Sequence, residues 1–228
     1  MKHFVFVLLM SLLGTVLLGQ NTPVESSSLM LDDQEIELDL SLGAGVGINT
    51  QSENHWGGGV SSGIGVVYNY LLAPRVRVRG GVSGQLFSST PKVDHPYPYI
   101  MDMDMNLLTF SSRLSVGGDW SFLPQMDNGN FIYVGASVYI DAVHHARAHN
   151  TLHYVNKDED EFVTLTKDFH DPIPGFQTSL GTCGPLGHFE IRYWEDVRSF
   201  SISRYDISKQ RRSFVGVSGS IKISNLSY

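Results

Sequence analysis

The sequence predicts an all-β protein: a closed, antiparallel, up-and-down transmembrane β-barrel of about eight strands. Three observations point there. In the stretch from Glu35 to Asn49, Ile36, Leu38, Leu40, Leu42, Ala44, Val46 and Ile48 fall on one side of an extended chain, and Glu37, Asp39, Ser41, Gly43, Gly45 and Gly47 on the other. Such a strand is much longer than the usual globular strand of about 5 to 6 residues, and its two faces suit a wall with lipid on one side and a lumen on the other. Further along, Arg75, Arg77 and Arg79 alternate with Val76 and Val78, and an arginine facing lipid at depth costs about 2 to 4 kcal/mol. Composition agrees: only 17% of residues are charged, below the usual quarter, whereas the 23 glycines and 11% aromatics favour a barrel wall.

The chain opens with Met1-Lys2-His3 and an apolar run from Phe4 to Leu18, broken only by Ser11, Gly14 and Thr15 and followed by the small Gly19. This predicts a cleaved signal peptide over residues 1–19, since a spanning helix needs about 20 apolar residues. Cleavage removes Lys2 and takes the formal net charge from −7 to about −8. No cysteine lies near that boundary to carry a lipid. Residues 20–34, with Glu25-Ser26-Ser27-Ser28 and Asp32-Asp33, read as a flexible periplasmic leader, and residues 35–228 as the barrel. The acidic balance excludes a nucleic-acid footprint. Cys183, the only cysteine, allows no intrachain disulfide and reads as a small wall residue.

The second strand runs from about Trp56 to Leu72, with Val60, Ile64, Val66, Tyr68, Tyr70 and Leu72 on the apolar face. Ala73-Pro74 turns the chain, because proline fixes φ and cannot donate to a ladder. The third strand, Arg75 to Phe87, puts Arg77 and Arg79 in the lumen, where Glu37 and Asp39 are expected to neutralise them. The proline-rich stretch Ser88 to Met103 reads as a long loop. A fourth strand covers Asp104 to Phe122, and a turn with Pro124 and Asn128-Gly129 leads to a fifth, Phe131 to Val143. Residues His144 to Asp171 lack a clean strand pattern and predict the largest extracellular excursion, drawn as a hairpin above the membrane. The sixth strand, Gly175 to Gly184, and the seventh, His188 to Asp196, flank a Pro185-Leu186-Gly187 turn. After a polar loop from Val197 to Lys209, the last strand covers Arg212 to about Ser224, although Leu226 and Tyr228 have the opposite parity to Val215 through Ile223.

A soluble lipocalin-like binding barrel would use the same alternation turned inside out. Strand length, the crowding of Gly and Ser on one face, and Trp56, Tyr68, Tyr70, Trp120 and Phe122 near strand ends favour the membrane form. With those features the chain resembles the small eight-stranded outer-membrane barrel proteins, those similar to the transmembrane part of outer-membrane protein A and to the porin-like barrels of Bacteroidetes. The likeness covers about Glu35 to Ser224 and is one of architecture. It implies export to the bacterial outer membrane and, as partners, outer-membrane lipid, lipopolysaccharide and other outer-membrane proteins.

An eight-stranded barrel is just wide enough inside for side chains to fill. Glu37, Asp39, Arg77, Arg79, Arg113, Asp119, Glu190 and Arg192 all have lumen parity, and they predict an ion-paired plug, since an unpaired buried charge is strongly disfavoured. The function this implies is non-enzymatic: an envelope-structural or interaction role through the extracellular loops, including service as an accessory subunit of a larger membrane complex. No cofactor is implied. His145, His149 and His153 are weak metal candidates that share a face if extended; their spacing fits no specific ligand pattern, and a solvated loop is the plainer reading. The alternating Met101-Asp102-Met103-Asp104-Met105 selects no one metal and reads as a hydrophobic hairpin tip. Lipid A deacylases and palmitoyltransferases supply the enzyme alternative, with His144 or His170 set against Ser201 or Ser203, but no motif ties those residues together.

Overall fold

The computed structural model describes residues 34–49, 56–73, 75–90, 100–121, 131–154, 161–168, 171–201 and 209–223. The signal peptide and leader expected over residues 1–34 lie outside them, apart from Gln34, as do Phe122, Leu226 and Tyr228. Ten strands follow one another: β1 (Gln34–Asn49), β2 (Trp56–Ala73), β3 (Val76–Ser89), β4 (Ile100–Ser121), β5 (Phe131–Tyr154), β6 (Glu161–Asp168), β7 (Ile173–Gly184), β8 (Gly187–Asp196), β9 (Phe200–Ser201) and β10 (Lys209–Lys222). Eight of them form the ring β1-β2-β3-β4-β5-β7-β8-β10, closed by antiparallel pairing of β1 with β10 from Glu37↔Lys222 to Asn49↔Gln210. The two short extras, β6 on β5 and β9 on β10, lie off the ring.

Burial is inverted relative to a soluble barrel. Ile64 and Leu114 are 57% and 60% exposed on the outer wall, whereas Glu37 and Asp141 are 0% exposed inside. Leu40, Val82, Val116, Val138 and Val215 extend the apolar band around the ring, which rules out the lipocalin reading: that fold would hide these side chains in its cavity. On β4 the band runs from Trp120 to Phe110, about 25 Å along the membrane normal for a strand tilted by about 40°. Tyr68, Tyr70 and Trp120 mark its short-turn end, where aromatic rings suit the interface.

The long-loop end rises well above this band. β4 begins at Ile100, and β5 continues to Tyr154 instead of ending near Val143. With β6 they form a three-stranded extension, so the Met101–Met105 run is strand, not hairpin tip, with Met105 buried. The broken pattern after Val143 has a specific cause. The β4–β5 register shifts between Phe110 and Ser111, so that Val143 and Ala146 are both buried while His144 and His145 fall between them. One extra residue reverses the parity of everything beyond it.

Inside, the wall thins where large side chains press on it. A Cβ at Gly43 or Gly216 would run into the Trp194 indole, and one at Gly175 into the Tyr139 ring. Trp194 stacks on Phe214 with centroids 5.7 Å apart, and Phe87 lies 5.5 Å from Phe214. Replacing Leu114 by arginine in the middle of the band is expected to destabilise the folded barrel by about 2 to 4 kcal/mol, read as a shift in equilibrium urea unfolding from lipid vesicles; an unshifted curve would mean that this wall does not face hydrocarbon.

Candidate functional site

Among the described residues the lumen gathers chemically active side chains in number, because every second residue of eight strands points there. Its charges form two layers. The layer near the short turns begins with Lys222 Nζ donating to Glu35 Oε1 at 2.5 Å. His188 Nδ1 lies 2.5 Å from Glu37 Oε2, which also accepts from Ser220 at 2.8 Å. Arg77 forks onto Asp119 Oδ2 through Nε at 3.0 Å and Nη2 at 2.6 Å. Arg79 reaches Glu190 at 2.9 Å and Asp119 at 3.4 Å, while the Tyr133 hydroxyl donates to Glu190 at 2.7 Å. Arg192 makes a bidentate pair with Asp39 at 2.7 and 2.9 Å and a further contact with Glu190. The Ser218 hydroxyl donates to Asp39 at 3.0 Å.

Above these pairs lies a cavity of about 50 Å³ lined by Ser41, Gln85, Ser115, Ser137, Gln177 and Ser179, room for a few water molecules. The aromatic cluster of Phe87, Trp194 and Phe214 follows. The second layer sits beyond it. Arg113 forks onto Asp141 at 2.7 and 2.9 Å, and Arg212 spans Asp196 at 2.6 Å and Asp141 at 2.9 Å. Tyr139 donates to Asp196 at 3.0 Å. The guanidinium of Arg113 lies 3.7 Å from the Tyr139 ring centroid and that of Arg212 4.2 Å from Phe87, so cation–π contact supplements the ion pairs. Met105, Leu107, Val143, Ala146, Ala148 and Ile173 cap the stack with an apolar cluster.

All eight residues named from parity, Glu37, Asp39, Arg77, Arg79, Arg113, Asp119, Glu190 and Arg192, sit in this stack, but the pairing differs from the expected one. Arg77 and Arg79 meet Asp119 and Glu190, not Glu37 and Asp39. The reason is register: Arg77 lies directly opposite Asp119 on the neighbouring strand, closer than any carboxylate across the lumen. Sequence reasoning missed Glu35, His188, Asp196, Arg212 and Lys222 as members, and it set Asp141 inward without a partner. Several of these stand at strand ends, where a polar residue reads as loop; their parity was the available signal. Cys183, expected in the wall, faces the lumen fully buried, with Arg77 Nη1 donating to its sulfur at 3.2 Å.

The histidines do not converge. His145 and His149 are exposed on the outer face of β5, four residues and so about 13 Å apart along the strand, and His149 Nδ1 is engaged by Thr164 at 2.9 Å. His153 is half-buried a further four residues on. His144 Nε2 lies 2.8 Å from Ser112 Oγ on the outer wall; His170, Ser203 and the side chain of Ser201 lie outside the described residues.

A closed eight-stranded ring with an apolar outer wall and an ion-paired interior is the fold of the small outer-membrane β-barrels. Several solved structures align with most of this chain at low identity. Neisserial surface protein A aligns over 84% of this chain and 98% of its own at 12% identity, with a TM-score of 0.41. The attachment invasion locus protein Ail of Yersinia pestis aligns over 82% and 99% at 14% identity and 0.34, and OprG from Pseudomonas aeruginosa over 83% and 93% at 10% and 0.35. No family model and no curated protein matches the chain.

Asp141 bridges two guanidinium groups at 0% exposure, so Asp141→Ala is expected to cost about 3 to 5 kcal/mol by taking the carboxylate from Arg113 and leaving Arg212 with Asp196 alone. Urea unfolding of the detergent-folded protein reads this directly; a change below about 1 kcal/mol, the range of exposed pairs, would show that the layer is solvated.

Proposed function

We propose that this protein is a non-enzymatic outer-membrane barrel with a plugged lumen, oriented with its short turns toward the periplasm, which acts through the parts that rise above the membrane and through its wall. The observation that carries this reading is the double ion-pair stack with its apolar cap: among the described residues, paired charged side chains occupy the interior from Glu35 to Arg212, with a small cavity between the layers. Transport is thereby disfavoured, and the largest feature left to function is the β4–β5–β6 extension. It presents exposed His145, Arg147, His149 and Phe162 beyond the lipid band. A rigid sheet held out from a rigid barrel suits adhesion to a partner or docking beside another outer-membrane protein.

Two measurements test it. In planar bilayers the purified protein is expected to show no ion conductance above the lipid baseline, and steady open channels would overturn the plug. Replacing residues 144–168 by a short turn is expected to leave heat-modifiable gel migration intact while abolishing cross-links to neighbouring envelope proteins in cells; cross-links that survive would move the interaction to the wall.

The Ser112–His144 pair favours a second reading, a lipid-modifying enzyme, because a serine hydroxyl within hydrogen-bond reach of an imidazole is the start of a nucleophilic site. Ser112→Ala separates the readings. On the non-enzymatic one, the mass profile of the lipid A and phospholipids of expressing cells is the same for the wild-type and S112A proteins; an acyl-chain difference between them would establish the enzyme.

A further inference from the structure

Near the short turns, three buried side chains from two strands of the closure seam and its neighbouring hairpin approach one another: Glu35 and Glu37 of β1 and Cys183 of β7. One ligand atom from each lies within 4.8 Å of the others. Each carboxylate is only half satisfied. Glu35 takes Lys222 on Oε1 and Glu37 takes His188 and Ser220 on Oε2, while Glu35 Oε2 and Glu37 Oε1 are buried with no hydrogen-bond partner. A second, independent feature stands beside them. Asn69, 1% exposed, lies directly opposite Glu35 in the β1–β2 register, and neither its amide oxygen nor its amide nitrogen has a partner. Orphaned acceptors at such burial are costly unless a cation or donor meets them.

We propose that Glu35, Glu37 and Cys183 bind one divalent transition ion of the zinc class, with the Asn69 amide oxygen on the same side of the wall as the fourth donor. The donor set decides the class. Two carboxylates alone would suit calcium or magnesium, but a thiolate ligand selects a softer ion. Tetrahedral zinc, with Zn–S of about 2.3 Å and Zn–O of about 2.0 to 2.2 Å, needs its ligand atoms well inside the 4.8 Å that bounds these three. Rotation of the glutamate side chains would supply that contraction. Binding releases the thiol proton to solvent, leaving a sulfur–metal bond. Four donor groups already face the site: Lys222 on Glu35, His188 and Ser220 on Glu37, and Arg77 on Cys183. Each occupies a position that leaves the orphaned oxygens open. The site does not depend on whether the loops bind a partner.

The test uses the single cysteine as its reporter. The mature protein, folded in detergent micelles, is titrated with Co²⁺. One equivalent is expected to give the near-ultraviolet thiolate-to-cobalt charge-transfer band, and Zn²⁺ is expected to bleach it. Cys183→Ser should abolish the band, and Glu37→Gln and Asn69→Ala should each weaken Co²⁺ binding tenfold or more. All variants should keep heat-modifiable migration, which separates loss of the site from loss of the barrel; should Glu37→Gln fail to fold, Asn69→Ala carries the comparison. Absence of the band in the folded wild-type protein would overturn the proposal. So would a band of undiminished affinity in both Glu37→Gln and Asn69→Ala, since the thiol would then be binding cobalt without the acidic partners.

Discussion

Everything in this molecule depends on the pairing of β1 with β10. Hydrocarbon offers no hydrogen bonds, so each backbone N–H and C=O within it must find a partner in the protein, and a sheet satisfies that only by closing on itself. The long register from Glu37↔Lys222 to Asn49↔Gln210 does this. Closure then assigns every side chain to one of two solvents. Leu38, Leu40 and Leu42 go to lipid, and Glu37, Asp39 and Ser41 between them go to the lumen. Neither choice could be changed locally, because a one-residue slip exchanges the two faces along the whole strand.

The narrowness of an eight-membered ring governs the interior. There is little room for water around these carboxylates and their counter-charges, so most are met by direct contact: bidentate forks such as Arg192–Asp39 and Arg113–Asp141, shared carboxylates such as Glu190 and Asp141, and tyrosine hydroxyls on Glu190 and Asp196. Large rings fit only where the opposite wall gives way, which is why Trp194 and Tyr139 sit over Gly43, Gly216 and Gly175.

How much of this was legible follows from period. Strands with an unbroken two-residue alternation, β1, β2 and β3, are legible to within a residue or two, and the lumen side of Glu37, Asp39 and Arg77 comes with them. Two physical effects hid the remainder. A bulge at the β4–β5 pairing breaks the alternation after Val143, so the upper half of β5 looks like loop although it is the longest strand in the chain. Partner identity is a second kind of information altogether: parity places a charge inside but says nothing of its height, and height decides that Arg77 meets Asp119 and that Asp141 bridges Arg113 and Arg212. Cys183, with no pattern of its own beyond parity, gave no hint that it faces two half-satisfied glutamates.

The final strand carries a consequence for assembly. β10 brings Arg212 to the upper layer and Lys222 to the lower one, so a nascent barrel that lacks it has uncompensated Asp196 and Glu35 at opposite ends of an open cleft. A partially docked β10 relieves only one of them. The strand is in that sense a zip fastened at both ends: each of its two cations has to reach its own layer before every one of these carboxylates is matched.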